Sequence, residues 1–184
     1  MKVLHVNAGL EQGGGLSHIV NLLTEAKKEG KDFELLTLEE GPVAKAARTA
    51  NIATHVLGAK GRYDLSSLKR LTAFINDGHY DIVHTHGARA NLFLSLIRRK
   101  ITAIWCITVH SDPYLDFADR GFLGKVFTKL NLHALRKADC VFVVTKRFAK
   151  LVVDQAHVDK DKVHVIYNGI FFHDNSEIPA KYEH

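Results

Sequence analysis

Short, largely apolar runs, rich in Val, Ile, Leu and Thr, recur at residues 3–7, 33–38, 54–57, 82–85, 104–109, 141–144 and 163–167. A strand with one wet face alternates apolar and polar residues. A run that is apolar on both sides belongs to a parallel strand covered above and below. Between these runs the period lengthens to that of a helix. Ile19, Leu22, Leu23 and Ala26 share one face, which stops near Gly30. Leu65, Leu68, Leu71 and Ile75 share another, between Asp64 as N-cap and Gly78 as stop. Strand then helix, repeated along the chain, predicts an α/β fold. Its core is a doubly wound, mostly parallel, Rossmann-like sheet with helices on both faces. The pattern spans residues 1–170 as one domain, and residues 171–184 lose periodicity and read as a tail or linker.

Composition removes other classes. With 3 Pro and 13 Gly among 184 residues, disordered and fibrous architectures fail. No apolar run reaches the roughly 18–20 residues that span a bilayer. Met1 to Val6 reads as a first strand, since no long apolar stretch follows it as in a signal peptide. The two cysteines, Cys106 and Cys140, sit in apolar runs and are expected as reduced, buried thiols. The expected location is cytoplasmic. The net charge of +5 is unevenly spread: residues 89–150 hold 12 Lys and Arg against 4 Asp. Such a local field suits phosphates, nucleic acid or an anionic membrane, and equally a set of solvated helix faces.

In a doubly wound sheet, ligands bind beyond the carboxyl ends of the strands. Three of these ends carry unusual chemistry. Gly13, Gly14 and Gly15 precede the first helix, where bare backbone N–H groups and the helix N-terminus favour a phosphate. Neither a dinucleotide-binding glycine spacing nor a P-loop lysine is present. His84 and His86 project to one side of their strand, and a His-x-His pair can bind metal. No further ligand stands at helpful spacing, so no metal is expected. His84 reads as a core residue. His86 reads as reaching the cleft, with Arg89 and Asn91 opening the next helix toward an anionic or hydroxylated ligand. His110-Ser111-Asp112 closes the fifth strand. Adjacent residues cannot align as a hydrolase triad, so His110 is expected to hydrogen-bond a substrate hydroxyl or phosphate.

Taken in order, five segments resemble the N-terminal half of a family 4 glycosyltransferase of the GT-B type. They are the opening strand with Gly13-Gly14-Gly15-Leu16-Ser17, Asp81-Ile82-Val83-His84-Thr85-His86-Gly87, and Thr108-Val109-His110. Ala138-Asp139-Cys140-Val141-Phe142-Val143-Val144-Thr145 and Val163-His164-Val165-Ile166-Tyr167-Asn168-Gly169-Ile170 complete the set. The resemblance implies transfer of a sugar from a nucleotide-sugar to a glycan or lipid-linked acceptor, with retention and without metal or other cofactor, as in bacterial cell-envelope or polysaccharide synthesis. It places Gly13 to Gly15 against the donor diphosphate and His110 as the cleft histidine near the transferred sugar. It puts His86, Arg89, Asn91 and Ser111 on the acceptor side, with Asn168-Gly169 as the crossover to a second lobe.

Two departures accompany it. Phe171-Phe172 follows Ile170 where the family usually has an acidic residue. The second lobe, whose paired glutamates hold the nucleotide ribose and sugar in the family, has no counterpart in these residues. The expectation is therefore an acceptor-binding domain that partners a missing C-terminal lobe and is inactive alone. Relatives often dock this lobe on the inner face of the cell membrane. At 100° per residue, Lys125, Lys129 and Arg136 fall within about 40° of one another on a helix, a face suited to anionic membrane. Two rivals remain at this level. One is a dinucleotide-dependent oxidoreductase with Glu39 or Glu40 on a ribose. The other is a non-catalytic anionic-ligand or nucleic-acid module, although few aromatics interleave with the charge and nucleic acid is not the expected partner.

Overall fold

The computed structural model of the chain describes residues 1–61, 64, 66–117 and 121–167. Within them all seven expected strands form, each within two residues of the expected limits. They are β1 (Lys2–Asn7), β2 (Asp32–Thr37), β3 (Thr54–Val56), β4 (Ile82–His86), β5 (Ile104–Val109), β6 (Cys140–Val143) and β7 (Val163–Val165). The helices described are α1 (Gly14–Lys28), α2 (Pro42–Thr49), α3 (Ser67–Asp77), α4 (Ala88–Ile97), α5 (Gly121–Lys137) and α6 (Lys146–Asp154). Leu65, Asn168, Gly169 and the expected tail 171–184 lie outside the described residues.

The sheet order is β3-β2-β1-β4-β5-β6-β7, and every neighbouring pair is parallel. Growth runs one way from β1 to β3 and then reverses through β4. Because crossovers between parallel strands are right-handed, the reversal sends helices to opposite faces. Strand β2 displays the division. Leu35 packs under α1 and α2 with Ile19, Leu23, Val43 and Ala47, while Leu36 joins the larger core beneath α3 to α6. That larger core holds Leu4, Val6, Phe93, Trp105 and Leu135, all buried. Burying a Leu or Phe side chain contributes about 1.5–3 kcal/mol, so this double layer is the main stabilising term.

Helix ends follow their local chemistry, with two corrections. Helix α1 closes at Gly30, whose φ of 64° suits glycine, with Lys31 N–H bonded to the Ala26 carbonyl and Gly30 N–H to that of Lys27. Helix α3 starts at Ser67, later than an Asp64 cap requires. The Asp64 carboxylate instead accepts the N–H groups of Lys60 and Ser66, anchoring the turn ahead of the helix. Gly78 ends α3 with an ordinary helical φ, and the left-handed position falls on His79. Glycine at 78 serves space, since a Cβ there would collide with the Tyr80 ring. Both cysteines are free thiols, side by side across β5 and β6; Cys106 is buried and Cys140 only half-buried.

Candidate active site at the carboxyl ends of the strands

Parallel strands deliver all their carboxyl ends to one edge, and the reversal between β1 and β4 parts the flanking loops there. The resulting crevice has two adjoining lobes. One, of about 320 Å³, is lined by Glu11, Gly15, Asn91, His110 and Asn131 among others. The second, of about 390 Å³, is more apolar and includes Leu10, Leu92, Phe117 and Phe127. Glu11, Gly87, Ala88, Ser111 and Asp116 border both.

Strand register assembles a histidine cluster at the base of this crevice. Pairing of β1 with β4 sets His5 beside His84 and Asn7 beside His86, and β5 brings Thr108 beside His86. His5 Nδ1 lies 2.9 Å from His86 Nε2, and His86 Nδ1 lies 3.2 Å from His110 Nε2. His84 Nε2 is 2.7 Å from the Thr108 hydroxyl. His18, from the first turns of α1, sets its ring edge-on to His110 with centroids 4.5 Å apart. Burial lowers the pKa of these rings first, and the neighbouring histidines lower it further. His5 falls to about 3 and His110 to about 4, while His84 and His86 lie well below the ordinary value. Near neutral pH His5, His84, His86 and His110 are uncharged imidazoles, each with one N–H and one bare nitrogen.

Two overlapping trios, His5/His84/His86 and His18/His86/His110, bring ring nitrogens within 4.8 Å of one another, close enough to share an ion. Hydrogen bonds to His5 and His110 already engage both nitrogens of His86, so a metal there would displace one of them. The donor set fits a chain of hydrogen-bonded rings.

The glycine segment opens α1. Gly13 is its N-cap with φ 66°, and no side chain caps the first turn. Space around Gly13 and Gly14 is open, and Gly15 sits against the Glu11 carboxylate. An uncapped helix start with unobstructed backbone is a suitable seat for a phosphate. Asn7 steadies the approach: its Nδ2 donates to the His86 carbonyl at 3.1 Å and its Oδ1 accepts Gly9 N–H at 2.7 Å.

The other expected contacts divide. His86 is 0% exposed with both nitrogens engaged, so its ring does not open onto the crevice as expected and meets it through His110. Asn91 borders the crevice but its amide is committed. Its Oδ1 accepts from the Thr85 hydroxyl, which accepts from the Trp105 indole, and its Nδ2 donates to Asn131. Arg89 is held by Glu39 and by the Gly61 carbonyl, which uses much of the donor capacity expected for an anionic ligand. The same pair occupies the carboxylate that the oxidoreductase reading would place on a ribose, and Glu40 pairs with Arg48. Ser111 is exposed at the rim and donates to Asp116 at 2.6 Å. On α5, Lys125 and Lys129 are exposed beside Phe122 and Leu123, which are 79% and 59% exposed. Arg136 Nη1 is tied to the Ala156 carbonyl at 2.9 Å. No helix among the described residues is long and apolar enough to cross a membrane.

Sequence reasoning passed over His5, His18, Glu11 and Asp116. Burial raises the Glu11 carboxyl against a side-chain hydrogen bond from Asn7, and desolvation in the crevice likewise raises Asp116. Glu11 could have been noticed for its place inside the glycine segment. His18 follows that segment within one helical turn.

A model of the family described as Glycosyltransferase Family 4 matches residues 12–171. An Escherichia coli UDP-Gal:alpha-D-GlcNAc-diphosphoundecaprenol alpha-1,3-galactosyltransferase is 24% identical over 145 residues, which are 76% of this chain and 37% of that protein. Among solved structures, Anabaena Alr3699/HepE in complex with UDP superposes with a TM-score of 0.74 at 13% identity, over 92% of this chain and 44% of that one. The lipopolysaccharide outer core galactosyltransferase WaaB gives 0.64 at 14% identity, over 92% and 46%. A UDP-N-acetylglucosamine 2-epimerase from Rickettsia bellii gives 0.67 at 9% identity, over 91% and 45%. These likenesses show the fold, half of a GT-B architecture, which hosts more than one chemistry. The chain spans less than half the length of each of these proteins.

Proposed function

Starting from a chain that belongs to Glycosyltransferase Family 4, we propose that it is the acceptor-binding lobe of a retaining glycosyltransferase. The reaction moves a sugar from a nucleotide-sugar to a glycan or lipid-linked acceptor in bacterial cell-envelope or polysaccharide synthesis. One observation carries the reading: the uncapped glycine start of α1 and His110 border the same crevice at the sheet's reversal point. Gly13, Gly14 and Gly15 would meet the donor diphosphate, and His110 the transferred sugar. Ser111 and the apolar lobe beyond it would face the acceptor. The E. coli relative's named substrates are a UDP-sugar and a lipid diphosphate, and the Anabaena protein binds UDP, which supports this assignment.

Catalysis requires no metal in this reading. The donor phosphate assists deprotonation of the acceptor, and neutral imidazoles supply hydrogen bonds without a competing charge. A second lobe completes the donor site, so the 184 residues alone do not turn over. The exposed Phe122, Leu123, Lys125 and Lys129 bring the lobe to anionic membrane. The test is sugar transfer from UDP-sugars to lipid-linked glycan acceptors by the full-length gene product. His110→Ala is expected to abolish transfer while leaving the circular dichroism spectrum unchanged. Transfer by residues 1–184 alone, or full activity of the His110→Ala protein, overturns the reading.

A further inference from the structure

We propose that His5 and His86 are positioning residues which fix His110 as a hydrogen-bond donor, with its proton on Nδ1. The inference rests on the reading of His110 as the cleft histidine and adds the direction of its hydrogen bond. Three rings stand in series: His5 Nδ1 to His86 Nε2 at 2.9 Å, then His86 Nδ1 to His110 Nε2 at 3.2 Å. A neutral imidazole has one N–H, so a ring that donates at one nitrogen must accept at the other. The chain therefore has only two arrangements, and all three rings switch together.

In one arrangement each ring donates outward from Nδ1. His86 then donates to His110 Nε2, and the proton of His110 sits on its remaining nitrogen, Nδ1. In the other each ring donates inward from Nε2, and His110 is left with a bare acceptor at Nδ1. The inner end decides between them. His5 is 1% exposed, and its Nε2 has no hydrogen-bond partner among the described residues. The outward arrangement leaves a bare lone pair there, whereas the inward one buries an N–H with nothing to receive it. Orphaned buried N–H groups are the rarer and more heavily penalised case, so the outward arrangement is selected. Burial keeps all three rings neutral near pH 7, which leaves this choice intact. His18, edge-on to His110, holds the plane of the last ring.

His110 would thus offer a proton to a sugar hydroxyl or phosphate oxygen and would not act as a general base. Nor does the chain carry protons through the protein, because the inner end has no exit. It transmits orientation only.

Two-bond ¹H–¹⁵N correlation spectra of residues 1–184 at pH 7 read each ring directly, with neither donor nor acceptor present. The expected result is a protonated Nδ1 and a bare Nε2 on His5, His86 and His110. A protonated Nε2 on His86 and His110 overturns the proposal. In His86→Leu, His110 is expected to lose its fixed tautomer, and in His86→Gln, whose amide can still donate to Nε2, to regain it. A folded His86→Leu protein with His110 unchanged also overturns it; if that variant fails to fold, the wild-type spectrum decides. Predicted tautomers in a full-length protein that transfers no sugar would refute the transferase reading and leave the tautomer assignment standing.

Discussion

Arg89, at the start of α4, and Glu39, just beyond β2, form a half-buried ion pair across 50 residues of sequence, with side chains 14% and 21% exposed. The same guanidinium donates to the Gly61 carbonyl, so one side chain ties together three strand-end segments. Removing one partner of such a pair leaves the other charge stranded. Arg89→Ala is expected to destabilise the chain by about 2–4 kcal/mol, and Arg89→Lys by less, because an ammonium cannot serve both acceptors with the guanidinium geometry. Urea unfolding checks this. A loss of substrate affinity at unchanged stability would assign Arg89 to the ligand instead.

The buried polar chain from Trp105 through Thr85 to Asn91 makes a second test. Thr85→Val keeps the shape but strands the indole N–H and the Asn91 carbonyl oxygen, whose hydrogen bonds measure 3.0 and 2.7 Å. Two orphaned groups should cost about 2–4 kcal/mol in thermal or chemical unfolding. A change below about 0.5 kcal/mol would mean that the network relaxes onto other partners.

Acid should unfold this protein early. His5, His84, His86 and His110 all have folded pKa values below the ordinary 6.5. Between those values and 6.5 the unfolded chain binds more protons than the folded one, so stability falls as pH falls. The loss begins near pH 6.5 and extends toward pH 4 for His110 and pH 3 for His5. Each group contributes up to about 1.4 kcal/mol per pH unit, and a slope above one proton is expected between pH 6 and 5. Glu11 and Asp116, raised by burial in the same crevice, act in the opposite direction. Equilibrium unfolding across pH 4–8 measures it, and a flat profile contradicts the neutral cluster.

The exposed apolar and basic surface of α5 makes a prediction for membranes. Co-sedimentation with vesicles containing anionic lipid is expected at low salt and lost at high salt, with Lys125→Glu/Lys129→Glu abolishing it. Binding that survives high salt would assign the contact to Phe122 and Leu123 alone.

The central strands were legible because they are largely apolar on both sides, a pattern that survives without knowledge of neighbours, whereas the edge strands β3 and β7 are short and only partly buried. The edge that carries the site followed from the same reading. What the chain conceals is pairing across distance. His5 looks like an interruption in an apolar run until the register sets it against β4. Arg89 looks free to bind an anion until Glu39 arrives from another loop. His86 looks like a ligand contact, yet one residue further on, after the Gly87 turn, the chain enters α4 and leaves the ring roofed over. Helix α2 is only 8 residues long, too short for a periodic signal, although Gly41-Pro42 marks its start.

Strand β1 is made before both of its neighbours and lies inside the sheet, bonded to β2 on one side and to β4 on the other. The Lys2 N–H bond to Asp81 spans 79 residues. At roughly 5–20 residues per second of synthesis, one edge of the strand waits about 4–16 s for its second neighbour. During that interval Val3, Leu4 and Val6 present an unpaired apolar edge to other nascent chains. A chaperone that shields Lys2–Asn7 over that interval should therefore raise the yield of folded chains.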